Sequence, residues 1–571
     1  MNYKKILPAI LGILSIAGIS SCKKQFDKLL INPNYPSAST ADVDLYLNEV
    51  QLDFNSFWTS AGDYGGQLSR QQHWNGPFYR NGYTPSSFDF QWTIAYTGVL
   101  TNANAMIPLA QSQRKYVQSG IARVLKAYTV ATLVDNFGDV PYSEAVLGND
   151  NVIPKVDGGA SVYAAAQSLL DSAIDDFAKP NSAPFVGNDL FYGGSKAKWT
   201  TFAKTLKLKL YMQTRLVDAS AKAKIQALIT ENDLVNTAAQ DFVFRYGTSV
   251  TAPDARHTHY ASNYTNNGNG EYLSNYFMWL VTAQKYGGIP NNTTGDPRVR
   301  YYFYRQVGNY NWATSSTCPC FAKSQFGSSS FPSWYPSVPD VSPYCTVGKG
   351  YHGRDHGDNS GAPPDGNYTT AMGVYPVGGQ FDAGQFKQVT STMGGQGAGI
   401  NPIWLSSYTS FLEAEAALVL GVSVPAGTPR ALLSAGVNSS ISKVMAFPAT
   451  VNVTPDPALV PSGTQITDYV AKVLSNYDTA STDLSRLNII MSEYYIALWG
   501  NGVESYNNLR RTGMPLGAQL AVAVPNPGLF MRSFFYPSVF VNRNSSAPPQ
   551  KDPGNVANKV FWDNNPDNFI K

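Results

Sequence analysis

One short stretch of the chain combines flat rings with hydrogen-bonding side chains, and it reads His73-Trp74-Asn75-Gly76-Pro77-Phe78-Tyr79-Arg80. Apolar ring faces, together with amide, guanidinium or imidazole groups, are what a protein needs to hold a sugar by its face and its hydroxyls. We therefore predict a ligand-binding loop with Trp74 as its main platform and six contact candidates: His73, Trp74, Asn75, Phe78, Tyr79 and Arg80. The alternative is that Trp74 and Phe78 cap a helical core.

A second set of candidate rings lies between about 236 and 400, where the chain is rich in Gly, Pro, Asn, Ser and Tyr. Trp312 and the pair Trp334-Tyr335 stand there without apolar periodicity, which favours exposure. Loops carry binding groups more often than regular elements do. We predict that these three residues contact ligand; the alternative is that each ring fixes its own loop.

Two polar clusters in the same region invite comparison with metal sites. Residues 254–260 include His257 and His259, and residues 354–358 with Asp365 bring three carboxylates into a Gly-rich loop. Calcium requires about six to eight oxygen ligands, and the calcium-hand pattern is absent. The sequence therefore predicts a polar surface loop at 254–260 and no metal site, with ligand contact by that loop as the alternative; an ion near Asp355, Asp358 and Asp365 stays open.

The four cysteines divide into one near the start and three in a Pro- and Ser-rich segment. In an oxidising compartment a bridge from Cys345 to Cys318 or Cys320 is the leading interpretation, and one thiol is left over. Cys318, Cys320 and Cys345 with His352 form a possible zinc set, but their spacing matches no zinc-finger pattern. A stapled loop or free thiols are favoured over zinc.

The first residues have the pattern of a signal peptide. Lys4 and Lys5 precede a short apolar run at 6–19, and Ser20 and Ser21 come directly before Cys22. Small residues before a cysteine are typical of a bacterial lipobox, in which the cysteine is acylated after cleavage. We predict a signal peptide at 1–21, lipidation of Cys22, and an anchor with an extended lead-in at 22–40; the alternative is an ordinary secretory signal.

The candidate residues are positioned by helices on either side of the loop-rich block. Apolar residues recur at helical spacing at 160–178, 196–217, 405–420 and 484–498, and Trp58 and Trp92 fall where rings usually pack. Each helix has one apolar stripe, so the helices must pack on one another as helical hairpins. We predict a helical scaffold at 41–235, an insertion at 236–402, and a second helical part with a tail at 403–571.

Composition and motifs exclude several classes of protein. The 571 residues carry a net charge of +3 with only 14% charged residues, which gives no basic field for nucleic acid. The 13% of aromatic residues suits uncharged ligands, or simply a large core. Nucleophile-elbow, zinc-protease and phosphate-loop motifs are missing. A glycosidase needs only two carboxylates, so a secreted glycan-cleaving enzyme is kept as an alternative.

Several motifs in order along the chain resemble those of the SusD/RagB family, the nutrient-binding lipoproteins of Bacteroidota. The closest is 123–145, RVLKAYTVATLVDNFGDVPYSEA, in which a helix runs into a turn at Gly138. The others are NPNYPS at 32–37, the Trp199, Leu206, Leu210 helix, GDPR at 295–298, YPVGGQFD at 375–382, AEA at 414–416, IALWGNGVE at 496–504 and RRTG at 510–513.

This resemblance implies a mainly α, SusD-like protein, with a tetratricopeptide-type helical scaffold and a large irregular, loop-rich ligand-binding part. It implies capture of oligo- or polysaccharides, or of peptides in the RagB branch, and delivery to a SusC-like TonB-dependent outer-membrane transporter. Neither catalysis nor a cofactor is expected. The protein is expected at the outer membrane facing the exterior, although Lys23 and Lys24 stand where surface lipoproteins often have acids.

Overall fold

The computed structural model describes the chain in a series of ranges: 42–76, 78–282, 295–308, 350–351, 353–359, 366–372, 375, 382–521, 528–555, 558–567 and 569–570. Several predicted residues lie outside these ranges, and what was predicted for them stays a prediction. They are the signal segment with Cys22, the cysteines at 318, 320 and 345, the ring candidates Trp312, Trp334 and Tyr335, and His352 and Asp365.

The protein is mainly helical, and its N-terminal part is built almost entirely of helices. They are α1 Val43–Leu68, α2 Asp89–Thr93, a π-helical stretch Ile94–Leu100, α3 Thr101–Ser112, α4 Tyr116–Phe137, α5 Gly159–Ala178, α6 Lys196–Gln213 and α7 Ala221–Glu231. Helix α4 packs on α5, and α5 packs on α6. The hairpin predicted from 160–178 and 196–217 is therefore confirmed, apart from the last turn of α6.

The middle part has short elements between long irregular stretches. They are β1 Phe242–Arg245, α8 Thr258–Asn263, α9 Asn275–Val281, α10 Val299–Tyr302, β2 Phe303–Tyr304, β3 Ala371–Met372 and β4 Ile400–Trp404. Strand β1 pairs antiparallel with β4, and β2 with β3. The β1–β4 pair brings the two ends of the loop-rich block together beside α1.

Helices return in the C-terminal part. They are α11 Ser406–Leu420, α12 Pro429–Thr450, α13 Gly463–Thr479, α14 Asp483–Ala497, α15 Gly502–Thr512 and α16 Ser538–Val541. Helix α11 packs on α12 and α14, and α15 packs across α1 from the other end of the chain. None of the described helices combines the length and the apolar character that crossing a bilayer requires.

Helix ends follow the signals in the sequence. Helix α4 ends at Phe137, and Gly138 takes a φ of +80° that favours glycine, as the stop signal predicts. The crossing of α1 and α15 depends on glycine for another reason. A Cβ on Gly502 would lie 1.9 Å from the Gly62 carbonyl oxygen, and one on Gly65 would lie 2.2 Å from the Gly502 oxygen. Only glycine allows the two backbones to approach so closely.

Buried ion pairs explain several of the motif residues. Lys209 of α6 lies 3.1 Å from Asp135 of α4 and 3.3 Å from Glu504 of α15, and all three side chains are buried. Arg298 pairs at 2.6 Å with Asp296 and at 3.0 Å with Glu493 of α14. A buried charge is tolerated only when it is paired, so these groups fix how the helices meet.

The acidic residues of α11 have different environments. Glu415 is buried and binds Arg511 of α15 at 2.6 Å and Arg215 at 3.1 Å. This pairing gives the AEA and RRTG motifs one shared structural role. Burial raises the pKa of Glu413 to about 7.

Candidate ligand-binding site

Three extended segments from distant parts of the chain meet where α1 ends. Gln72 forms an antiparallel bridge with Leu273, and Ser274 forms a parallel bridge with Arg354. The His73 amide donates to the Tyr272 carbonyl at 3.1 Å. The predicted loop 73–80 and the carboxylate loop 354–358 thus become neighbours, with 272–274 between them.

His73 is held at this junction as a neutral imidazole. Its Nε2 lies 2.9 Å from the Asp358 carbonyl oxygen, which can only accept, so Nε2 carries the proton. Burial and the Arg354 guanidinium lower the pKa of His73 to about 4, so the imidazole is uncharged at pH 7. That guanidinium lies 4.5 Å from the centre of the Tyr272 ring. The arrangement leaves the His73 Nδ1 as an acceptor.

A fully buried layer supports the loop from below. The Trp74 ring stacks on Tyr79 with centroids 4.7 Å apart. Gly76 and Gly82 lie so close to the Trp74 ring that a Cβ on either would be 2.2 Å from it. Trp74 has no exposed surface and Tyr79 almost none. This burial favours the core alternative for Trp74 and counts against the predicted ligand contact of Tyr79, because a covered ring offers no face to a sugar.

A chain of hydrogen bonds fixes this layer to the rest of the protein. Buried Arg70 donates to the Tyr79 hydroxyl at 3.0 Å, and that hydroxyl shares a hydrogen bond of 3.0 Å with Nε2 of His356. The His356 amide in turn donates to Gln519 at 3.1 Å. Burial and nearby Arg70 hold the pKa of His356 well below its usual range, so its imidazole is uncharged at pH 7.

Around this layer, four of the predicted residues keep exposed surface, and Tyr272 lies beside His73 with the ring centroids 6.0 Å apart. Asn75 and Arg80 are exposed, while His73, Phe78 and Tyr272 are partly exposed. We call these five residues the loop site. They present two amphipathic or apolar rings, an amide, a guanidinium and a neutral imidazole, which is the chemistry that sugar recognition needs.

Sequence reasoning missed Tyr272. The available signal was its place two residues after the Asn- and Gly-rich run 265–270, the same kind of turn-rich setting that drew attention to 73–80. The described carboxylates of the 354–358 loop, Asp355 and Asp358, are buried. Asp355 accepts from Asn275 at 3.2 Å and from Gln519 at 2.9 Å, so it ties loops together.

The cluster at 254–260 lies beside α1 and forms a separate charged group. His259 is held between Asp63 at 2.8 Å and Glu271 at 3.0 Å. Burial alone would lower the pKa of His259, but these two acids raise that pKa well above its usual value. Asp254 is paired with Arg256 at 2.7 Å. The nearby cavity has a volume of only about 40 Å³, which is too small for a sugar.

Metal binding finds no support among the described residues. No group of three or more His, Cys, Asp or Glu side chains there is arranged to hold an ion. Asp358 lies 3.6 Å from Arg354, and Asp355 is occupied by the two amides. Asp365 lies outside the described ranges.

Comparison with known proteins identifies the family. A family model described as "Starch-binding associating with outer membrane" matches residues 37–312, and one described as "Susd and RagB outer membrane lipoprotein" matches residues 377–530. The chain belongs to the SusD/RagB family. A comparison with curated proteins finds no significant match.

Solved structures agree with this family in fold. A SusD/RagB family protein from Bacteroides thetaiotaomicron aligns with a TM-score of 0.63 at 18% identity, over 92% of this chain and 99% of the other. A SusD homologue from Bacteroides ovatus aligns at 0.62 and 16%, over 91% and 98%. A chitin-binding SusD homologue from Flavobacterium johnsoniae aligns at 0.59 and 18%, over 91% and 99%.

Proposed function

We propose that this protein binds an oligo- or polysaccharide through the loop site, without cleaving it, and delivers it to a SusC-like TonB-dependent transporter. The observation that carries the proposal is the set of exposed Asn75 and Arg80 beside partly exposed Phe78 and Tyr272, on a buried base, in a SusD/RagB chain. The similar fold of a chitin-binding homologue supports a sugar as the ligand.

The charges of the loop site favour a neutral ligand. Arg80 is its one exposed cation, His73 is uncharged at pH 7, and Arg354 is buried near Asp358. Stacking and neutral hydrogen bonds then supply most of the affinity, and these are screened little by salt. Binding is therefore expected to change little as salt is raised.

The test is calorimetry with soluble chitin, starch, xylan and mannan oligosaccharides. Phe78→Ala is expected to weaken binding about tenfold, which corresponds to about 1.4 kcal/mol. Phe90→Ala is the matched control, because Phe90 is 60% exposed and lies on α2 outside the loop site. Equal affinities for the wild type and for Phe78→Ala and Asn75→Ala would remove the loop site from recognition.

Two other functions are separated by simple assays. A peptide-binding, RagB-like protein would bind none of the oligosaccharides but would bind a peptide mixture saturably. A glycan-cleaving enzyme would produce new reducing ends when incubated with the bound sugar. We expect binding to sugar and no new reducing ends.

Location at the outer membrane, facing the exterior, is part of the same proposal. Acylated Cys22 would anchor the chain, since each buried methylene contributes about 0.8 kcal/mol. Cys22→Ser is expected to move the protein from the membrane fraction to the soluble fraction, and protease treatment of whole cells tests which side it faces. Purification from native membranes is expected to bring down a TonB-dependent transporter, and its absence would count against delivery.

A further inference from the structure

A second concave surface lies on the helical scaffold and shares no residue with the loop site. Helices α5 and α6, the turn that follows α6, and the C-terminal segment enclose a groove of about 490 Å³. Small-molecule sites usually have volumes of about 300 to 1,000 Å³, so the groove has the size of a ligand site. Neither the family resemblance nor the loop site accounts for it.

Three aromatic rings line this groove. Tyr211 and Phe561 are partly exposed, and buried Tyr163 meets Phe561 edge to face with centroids 5.1 Å apart. Val217 adds an apolar side chain that is 45% exposed. Partly exposed rings in a concavity are suited to the apolar face of a sugar ring.

Polar groups between the rings supply hydrogen bonds without net charge. The side-chain oxygen of Gln167 is buried and accepts no hydrogen bond from a described residue, which is costly unless a ligand or water donates to it. Thr214 donates to the Leu210 carbonyl at 3.2 Å, so its hydroxyl oxygen can accept. Lys224 and Asp218 are paired at 3.0 Å, and their charges offset each other.

We propose that this groove is a second saccharide-binding site, which takes one or two neutral sugar units. A sugar hydroxyl would donate to the side-chain oxygen of Gln167, and a sugar face would lie on Tyr211 or Phe561. Charge-driven ligands are disfavoured because the only exposed cation of the lining, Lys224, already has a carboxylate partner. The inference rests on the proposed function in one respect, that the protein binds sugar.

The test is calorimetry with four disaccharides: chitobiose, maltose, xylobiose and mannobiose. Wild-type protein is expected to bind two molecules of at least one of them. Tyr211→Ala and Gln167→Leu are each expected to weaken one of the two sites at least tenfold. Tyr116→Ala is the matched control, since its ring is also partly exposed on a helix with a lysine ammonium 5.2 Å from its centre, as for Tyr211.

The loop-site variant Phe78→Ala separates the two sites. It is expected to keep the Tyr211-dependent binding, and Phe78→Ala with Tyr211→Ala is expected to lose both. Binding of one molecule that only Phe78→Ala weakens would overturn the second site and leave the proposed function standing. No binding of any of the four by the wild type would overturn the second site, and the longer oligosaccharides would then decide the proposed function separately. Thermal unfolding of each variant checks that the fold is kept, and an effect equalled by Tyr116→Ala would also overturn the assignment.

Discussion

Replacing Trp74 with alanine tests whether this ring is core or platform. A tryptophan buries about 150 to 250 Å², and at about 25 cal/mol per Å² its loss costs about 4 to 6 kcal/mol. The Trp74 indole N–H is buried and donates to no described residue, so its removal recovers about 1 to 3 kcal/mol. We expect Trp74→Ala to lower the free energy of unfolding by about 3 kcal/mol, in line with measured costs for large buried rings.

The assay is guanidinium unfolding followed by circular dichroism, with Phe78→Ala as the companion variant. Phe78 keeps part of its ring exposed and therefore buries less area than Trp74. Phe78→Ala is expected to lower the free energy of unfolding by about 1 kcal/mol or less while weakening sugar binding. Trp74→Phe is expected to recover much of the stability. If Trp74→Ala unfolds within about 0.5 kcal/mol of wild type yet no longer binds sugar, the ring is a ligand platform and the burial argument fails.

Three further predictions concern the scaffold. Gly502→Ala is expected to lower the free energy of unfolding by about 1 to 3 kcal/mol, because the new Cβ would clash with the backbone of α1. Gly463 has open space around it, so Gly463→Ala is expected to be neutral or stabilising. Equal unfolding midpoints in denaturant for the two variants would contradict this. Lys209→Met leaves two buried acids facing each other and is expected to cost about 3 to 5 kcal/mol, measured in the same way. Burial alone would raise the pKa of Glu271, but the charge of His259 lowers that pKa from 4.5 to about 2. The stabilising effect of Glu271 is therefore present above pH 4.5 and is lost as the pH falls toward 2. Unfolding measured across that range is expected to show a shallower loss for Glu271→Gln than for wild type, and parallel curves would count against the pairing.

The helical scaffold was readable from the sequence where a helix buries one regular stripe, as α5 does. The expectation of one stripe per helix was wrong for α4, which is buried on nearly all sides because it lies between other helices. Val162, Ala166, Leu170, Ala173 and Phe177 recur at helical spacing, and all five are buried in α5. A periodic pattern reports burial directly, since one face of a helix must turn to the core. Trp58 and Trp92 were placed correctly as packed rings by the same reasoning.

The buried ion pairs were not readable in the same way. Glu415 and Arg511 are 96 positions apart, and nothing local in either motif names the other as its partner. The resemblance gave both segments together, but only the fold shows that Arg511 of α15 pairs with Glu415 of α11. Long-range pairs of this kind depend on how helices meet, which a single sequence does not state.

The proposed loop site shows that residue type can single out a stretch without separating its buried rings from its exposed ones. Loops lack periodicity, so the sequence distinguishes no buried ring from an exposed one, and Trp74 outranked its neighbours on size alone. In the fold, Trp74 and Tyr79 fill the base, and Arg70 and His356 hold Tyr79 in place. If the loop site binds a sugar as we propose, a base fixed in this way leaves little conformational entropy to be lost on binding. On that proposal the largest ring of the stretch holds the shape of the loop, and its smaller, more exposed neighbours contact the ligand.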